Sequence, residues 1–200
     1  MKHKLLGILL ALVLPASLSL AQEHYPKVSS EDEGHLNHFE AGALFNYYRL
    51  VNDTGPDTNF YGVGGLIGVN VSHHVQLEAE GAWDPEQNIT FNNSGVTLIS
   101  SPIKVTHFMF GPKFQAGTSG PARFFVTVKG GLINFSSSPS FADQVAGITS
   151  GDTFATFYPG VGFEFFAKAL GVRFEAGDEM FFNGGVNHNP YVAAGPVIRF

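Results

Sequence analysis

Side chains capable of chemistry are sparse in this chain. It holds eight histidines and no cysteine. Acyl hydrolysis by a serine would need a histidine base beside it and an acid to orient the ring. His107 falls inside a strand-like stretch, but no His-x-Ser pair shares a strand face with it. His188 lies in a polar stretch between Asn187 and Asn189. His73 and His74 are adjacent, so on extended backbone they point to opposite faces and do not readily share one metal ion. His24, His35 and His38 lack metal-ligand spacing. These patterns assign no catalytic residue, no cofactor and no metal site.

What does recur is charge of both signs at every second position. Glu40, Glu78, Glu80, His107, Lys113, Lys129, Glu164, Arg173, Glu175 and Arg199 all fall on the more polar of two alternating faces. If that face is enclosed, each charge needs a partner or a trapped water. The expectation is a lumen charge network, with Lys129 and Arg173 set among Glu78, Glu80, Glu164 and Glu175. A catalytic or gating constellation is the alternative use of the same residues.

The elements that would position these charges are strands of period two. Eight such segments are expected, at about 38–50, 59–71, 75–83, 103–116, 123–135, 153–166, 170–180 and 191–200. In the first, Phe39, Ala41, Ala43, Phe45 and Tyr47 oppose Glu40, Gly42, Leu44 and Asn46. In the sixth, Phe157, Val161, Phe163 and Phe165 oppose Thr156, Tyr158, Gly160, Gly162 and Glu164. In the last, Val192, Ala194, Pro196, Ile198 and Phe200 share a face. The connections alternate between tight ones (72–74, 117–122, 167–169) and long polar ones (51–58, 84–102, 136–152, 181–189). Long loops on one side and tight turns on the other are a property of membrane β-barrels.

Composition and the N-terminus agree with export to a membrane. Charged residues are 14% of the chain, where about 25% is usual for a globular protein, while Phe numbers 20 and Gly 24. Residues 1–21 read as a signal peptide: a basic start at Lys2 and Lys4, an apolar core from Leu5 to Leu14, and small residues up to Ala21. That core is shorter than the roughly 20 residues a membrane helix needs. Without Lys2 and Lys4, nine basic residues face seventeen acidic ones, a balance of −8. Such a balance argues against nucleic acid as a partner. Residues 22–37 are polar and aperiodic and read as a disordered periplasmic lead-in, leaving 38–200 as one barrel domain.

Alternation alone does not say which face is inside. A soluble lipocalin-like lipid-binding barrel would turn its apolar face inward, and a membrane barrel would turn it toward lipid. The polar face here is rich in Gly, Thr, Asn and Gln rather than Lys and Glu, which suits a crowded interior. Aromatic residues near strand ends (Phe39, Tyr47, Tyr61, Trp83, Phe108, Phe114, Phe124, Phe157, Phe165, Tyr191 and Phe200) are placed as interfacial girdles would be. The expected fold is therefore an all-β, eight-stranded, antiparallel up-and-down transmembrane barrel.

The repeated aromatic-glycine strands (Thr106 to Pro112, then Val126 to Gly131) and the closing run from Gly195 to Phe200 carry a likeness. The chain resembles the bacterial outer-membrane β-barrel domain family, the small eight-stranded barrels like the OmpA transmembrane domain and OmpX. That resemblance implies an integral protein of the outer membrane of a Gram-negative-type bacterium, a monomer surrounded by outer-membrane lipids. Its transient partners would be periplasmic chaperones and the outer-membrane assembly machinery. Gly195, Ile198 and Phe200 would form the insertion signal that the machinery reads. No reaction is implied. The expected function is that of a non-enzymatic structural or surface-exposed barrel with a narrow polar interior, capable at most of weak pore or surface-interaction activity. The alternatives are a lipid A-modifying barrel enzyme and a soluble lipocalin-like barrel.

Overall fold

The computed structural model describes residues 38–51, 57–93, 96–117, 120–137 and 151–200. The expected signal segment and lead-in lie outside the described residues. The described residues form eight strands: β1 (Phe39–Leu50), β2 (Thr58–Asn70), β3 (Val75–Asn93), β4 (Val96–Ala116), β5 (Ala122–Ser137), β6 (Asp152–Ala167), β7 (Leu170–Phe182) and β8 (Val186–Arg199). Each pairs antiparallel with its neighbours in chain order, and β8 returns to β1, so the barrel is closed. At the seam Phe39 and Phe200 exchange backbone hydrogen bonds, both 3.0 Å long. Closure leaves no sheet edge around the wall, which a backbone surrounded by hydrocarbon requires.

Side chains sort by parity along each strand. On β1, Phe45 is 71% exposed while Leu44 beside it is 3% exposed. On β2, Ile67 and Val69 face outward and Leu66 and Gly68 inward; on β6, Val161, Phe163 and Phe165 face outward and Glu164 inward. The outer wall is thus a continuous surface of Phe, Val, Ile and Leu, and the charges are on the inside. This is the reverse of a soluble lipid-binding barrel. Of the aromatic residues expected at the girdles, Tyr191 is the exception: it is fully buried in the lumen. It shares parity with Ala193 and Val197, not with Val192.

The long-loop end differs from expectation in two places. Residues 84–102, expected as a loop, are instead the distal part of a β3–β4 ribbon paired out to Asn93 and Val96. The β2 partner of β3 ends at Trp83, and the β5 partner of β4 ends at Ile103, so beyond them the ribbon pairs only with itself. A register shift follows Asp84, where Pro85, which has no N–H to donate, sits on the edge that lacks a β2 partner. Polar residues follow one another along this ribbon without apolar–polar alternation, so Asn88, Thr90, Asn92 and Asn93 read as loop. Likewise β8 begins at Val186, not Tyr191, and the β7–β8 connection shrinks to a tight turn at 183–185, where Gly184 takes a φ of 66°.

At the other end the turns are short. Ser72 Oγ accepts from the amides of His74 and Val75 at 3.3 and 3.1 Å, and Lys168 adopts a φ of 60° between β6 and β7.

Candidate functional site

The lumen is packed with side chains, and its chemistry begins with the register of the strands. Arg123, Glu164 and Arg173 are direct cross-strand neighbours on β5, β6 and β7, so charges of alternating sign run around the wall. Glu78 and Glu80 face the same interior from β3, and Lys113, Lys129 and Glu175 from β4, β5 and β7.

Arg173 is the centre of this cluster. Its Nη1 donates to Glu78 Oε1 at 2.6 Å and to Glu164 Oε1 at 2.8 Å. Its Nη2 donates to Glu78 Oε2 at 2.8 Å and also to Glu175 Oε2, while Nε reaches the same Glu175 oxygen at 3.0 Å. Lys129 Nζ donates to Glu80 Oε2 at 2.5 Å and to Glu175 Oε1 at 2.9 Å. Lys113 Nζ donates to Glu164 Oε1 at 2.8 Å and lies 3.3 Å from Glu78 and 3.5 Å from Glu40. Arg123 Nη1 closes the set with Glu40 Oε1 at 2.9 Å. Rings fill the gaps: Phe125 lies 4.3 Å from the Arg173 guanidinium and 5.1 Å from Lys113 Nζ, and Tyr158 lies 5.4 Å from Lys129 Nζ.

All six residues expected in the network, Glu78, Glu80, Lys129, Glu164, Arg173 and Glu175, meet here. Lys113, Glu40 and Arg123 join them. Arg199 does not: it sits at the short-turn rim, its Nε donating to Lys168 O at 2.9 Å and its guanidinium 4.5 Å from the Phe166 ring. Of the expected insertion signal, Gly195 is inward and half-buried beside Arg173 in the register, whereas Ile198 and Phe200 face outward, the Phe200 ring stacked on Phe39.

A second polar cluster lies toward the long-loop end. His107 is enclosed between two carboxylates. Its Nε2 is hydrogen-bonded to Asp84 Oδ2 at 2.7 Å. Its Nδ1 stands 2.7 Å from Glu179 Oε2, off the line of a good hydrogen bond. Asn46 Nδ2 donates to Asp84 Oδ1 at 2.6 Å, and the Tyr48 ring packs edge-on against the imidazole at 4.9 Å. Tyr191 links the two clusters, its hydroxyl donating to Glu80 Oε1 at 2.8 Å and its ring 5.8 Å from His107. Neither Asp84 nor Glu179 was expected at a site, although both continue the inward parity of Glu78 and Glu80, or of Arg173 and Glu175.

Beyond His107 lies an aromatic layer. Phe135, Phe154 and Phe181 contact one another with ring centroids 5.5–6.0 Å apart, and Ile103, Val105 and Ile133 are buried with them. The polar face therefore also carries large apolar side chains beyond the Leu44 and Tyr158 that strand parity places there. Inverting the soluble arrangement and filling the interior in this way defines the small outer-membrane barrel fold.

Solved structures place the chain in that fold. It is similar to Neisserial surface protein A (TM-score 0.58, 13% identity, covering 81% of this chain and 97% of that one). It is also similar to OprG from Pseudomonas aeruginosa (TM-score 0.56, 11% identity, 84% and 98% covered). A third is Ail, the attachment invasion locus protein of Yersinia pestis, solved with the heparin analogue sucrose octasulfate (TM-score 0.54, 15% identity, 82% and 99% covered). No protein-family profile and no curated sequence matches the chain. The chain has the fold of the small eight-stranded outer-membrane barrels that its strand pattern resembles.

Proposed function

We propose that this protein is an integral, non-enzymatic barrel of a Gram-negative-type outer membrane. It acts as a structural and surface-presenting element rather than as an open pore. The observation that carries this reading is the reversal of burial. Arg173, Lys129, Lys113, Glu78 and Glu164 have no exposed surface, while Phe45, Ile67, Phe124 and Tyr61 on the outer wall are 63–71% exposed. Water does not tolerate that outer surface over a whole barrel, and hydrocarbon does.

The packed lumen supports a closed interior. An ion-pair cluster and an aromatic layer occupy successive levels, so a hydrated path would have to break desolvated pairs. His107 supports the non-enzymatic reading, because it is enclosed in the lumen among Asp84, Glu179 and the Tyr48 ring, with no exposed side-chain surface for a substrate to reach. The long-loop end, with the projecting β3–β4 ribbon, would face the exterior and present the surface. Outer-membrane lipids would surround the wall. Periplasmic chaperones and the assembly machinery would be transient partners, reading Gly195, Ile198 and the outward Phe200 as an insertion signal.

The test combines cell fractionation, heat-dependent gel migration and planar-bilayer recording. Recovery in the outer-membrane fraction, a folded band that shifts on boiling and no stable conductance are expected. Solubility without detergent would overturn the membrane assignment, and steady wild-type channels would overturn the closed lumen.

A further inference from the structure

An asparagine can be attacked at its side-chain carbonyl carbon by the main-chain nitrogen of the residue that follows it. The attack needs an uncrowded nitrogen outside a strand ladder and a side chain free to turn. Most of the described asparagines fail these conditions. Asn46, Asn59 and Asn134 stand in strands and precede Tyr47, Phe60 and Phe135. Their side chains are committed: Asn46 Nδ2 donates to Asp84 Oδ1 at 2.6 Å, Asn59 Oδ1 accepts from the Tyr47 hydroxyl at 2.8 Å, and Asn134 Nδ2 donates to Thr153 Oγ1 at 2.8 Å. In β8, Asn189 is buried and precedes Pro190, which has no N–H to become a nucleophile. Asn187 precedes His188, which is paired with Met180 of β7.

Asn183 meets all of them. It opens the turn at 183–185, past the end of β7, and it is exposed. Among the described residues its side-chain amide has no hydrogen-bond partner. Gly184 and Gly185 follow it, and a Cβ on either would meet nothing within 4 Å, so the backbone there turns in open space. The hydrogen bond inside the turn runs from Asn183 N to Gly185 O at 3.2 Å. It leaves the Gly184 nitrogen uncommitted, since that nitrogen is donor in no turn or loop hydrogen bond among the described residues.

We infer that Asn183 and Gly184 form a self-modifying site at the tip of the β7–β8 turn, where the amide of Asn183 is converted to an acid through a succinimide ring. The Gly184 nitrogen gives its proton to a solvent base and bonds to Asn183 Cγ. The Cγ–Nδ2 bond breaks, and the side-chain nitrogen takes up a proton and leaves as ammonia. One water then adds to the ring. Addition at Cγ yields aspartate in a normal chain. Addition at the main-chain carbonyl yields isoaspartate, and the chain then runs through the side chain and is one carbon longer. Water is the one co-reactant, and nothing is oxidised or reduced. Either product adds a carboxylate to a rim where Asp57, Glu86 and Asp178 are already at least partly exposed. The paired strands below, from Phe182 and Val186 downward, hold the hairpin in register while the turn changes. The site is independent of the membrane reading, because it requires only the turn.

The experiment is peptide mapping by mass spectrometry, with fragmentation that separates isoaspartate from aspartate. The full chain is incubated folded in detergent, its fold checked by heat-dependent migration, beside a sample kept in denaturant. In the folded protein Asn183 should convert to a mixture containing isoaspartate, while Asn187 and Asn189 in the same hairpin stay amides. The rate should rise about tenfold per pH unit in the mildly alkaline range, because the attacking nitrogen must first lose its proton. Gly184→Lys places a side chain beside that nitrogen and should slow the conversion about tenfold or more. The variant is compatible with the fold: Gly184 has a φ of 66°, Lys168 already adopts 60° in the β6–β7 turn, and the new Cβ has open space. An Asn183 that stays an amide in the folded protein but converts in denaturant would show that the turn forbids the attack, and the site falls. Equal conversion of Asn187 would remove the selectivity of the turn and overturn it as well. An undiminished rate in Gly184→Lys, or aspartate as the sole product, would replace the ring with direct hydrolysis and overturn the role of Gly184.

Discussion

Arg173 meets three carboxylates with no solvent to share the load, so its energetic weight is in what its removal leaves behind. Removing one partner of a buried ion pair strands uncompensated charge and costs about 3–5 kcal/mol, whereas replacing both by apolar groups is often nearly neutral. Arg173→Ala should therefore destabilise the folded barrel by about that amount in urea titrations from lipid vesicles. Arg173→Met combined with Glu78→Leu should cost less than Arg173→Met alone. A single-variant loss below about 1 kcal/mol, the usual range of surface pairs, would remove the cluster from any account of stability. His107 is hydrogen-bonded through Nε2 to Asp84, while its Nδ1 stands 2.7 Å from Glu179. His107→Gln should cost about 1.5–3 kcal/mol, the value of a hydrogen bond to a charged group, and Asp84→Asn in the same chain should restore part of it. Undiminished stability of His107→Gln, read in the same titration, would count against a stabilising role for the His107–Asp84 pair. The charged half of this site was legible because Glu78, Glu80, Glu164, Arg173 and Glu175 alternate with apolar residues. Asp84 was hidden by Pro85 and the polar run behind it, and Glu179 by its neighbour Asp178. In both cases strict period two, carried a few residues further, would have placed the carboxylate inside.

Strands in a narrow barrel must make room for one another's large side chains, and glycine supplies that room. A Cβ on Gly160 would fall 2.7–2.9 Å from the Tyr158 ring and hydroxyl, and one on Gly177 would meet the other edge of the same ring. Tyr158 thus lies in a trough cut by glycines of β6 and β7, positioned against Lys129 and edge-on to Tyr191. Gly160→Ala should cost about 1–3 kcal/mol through overpacking. Because the three atoms nearest that Cβ all belong to Tyr158, most of the penalty should vanish when Tyr158→Ala is already present. A penalty of equal size in both backgrounds, measured by a double-mutant cycle, would trace the cost to the backbone instead. The same glycines explain what could be read from sequence at this scale. Aromatic residues alternating with Gly, Thr and Glu gave all eight strands, because an apolar outer wall on one side and a packed interior on the other enforce period two. The signal failed where that demand ends. The distal β3–β4 ribbon pairs only with itself, and the first residues of β8 (Val186 to Pro190) sit at the rim, so both read as loop. Tyr191 was misplaced for a related reason: an aromatic near a strand end suits a girdle by type, and only its parity with Ala193 and Val197 puts it in the lumen.

At the scale of the whole molecule the barrel has two immiscible surfaces separated by one backbone layer, and the wall can be examined independently of the lumen. Placing Arg on a lipid-facing strand position costs about 2–4 kcal/mol at the bilayer midplane and falls to about 0–1 kcal/mol near the interfaces. Phe45 and Val161 lie midway along β1 and β6 and face outward, 71% and 55% exposed. Phe39 also faces outward but begins β1 beside the seam, at the short-turn rim. Phe45→Arg and Val161→Arg should each cost the larger amount in vesicle unfolding titrations, and Phe39→Arg the smaller. The contrast is informative because all three positions are exposed. In water, exchanging an exposed apolar side chain for Arg changes stability little at any of them. A profile that depends on height along the wall requires a hydrocarbon layer of limited thickness around the barrel, and no packing effect inside the lumen reproduces it. A flat profile, with all three variants within about 0.5 kcal/mol of wild type, would mean that the outer wall is not solvated by lipid, and the outer-membrane assignment would fall with it.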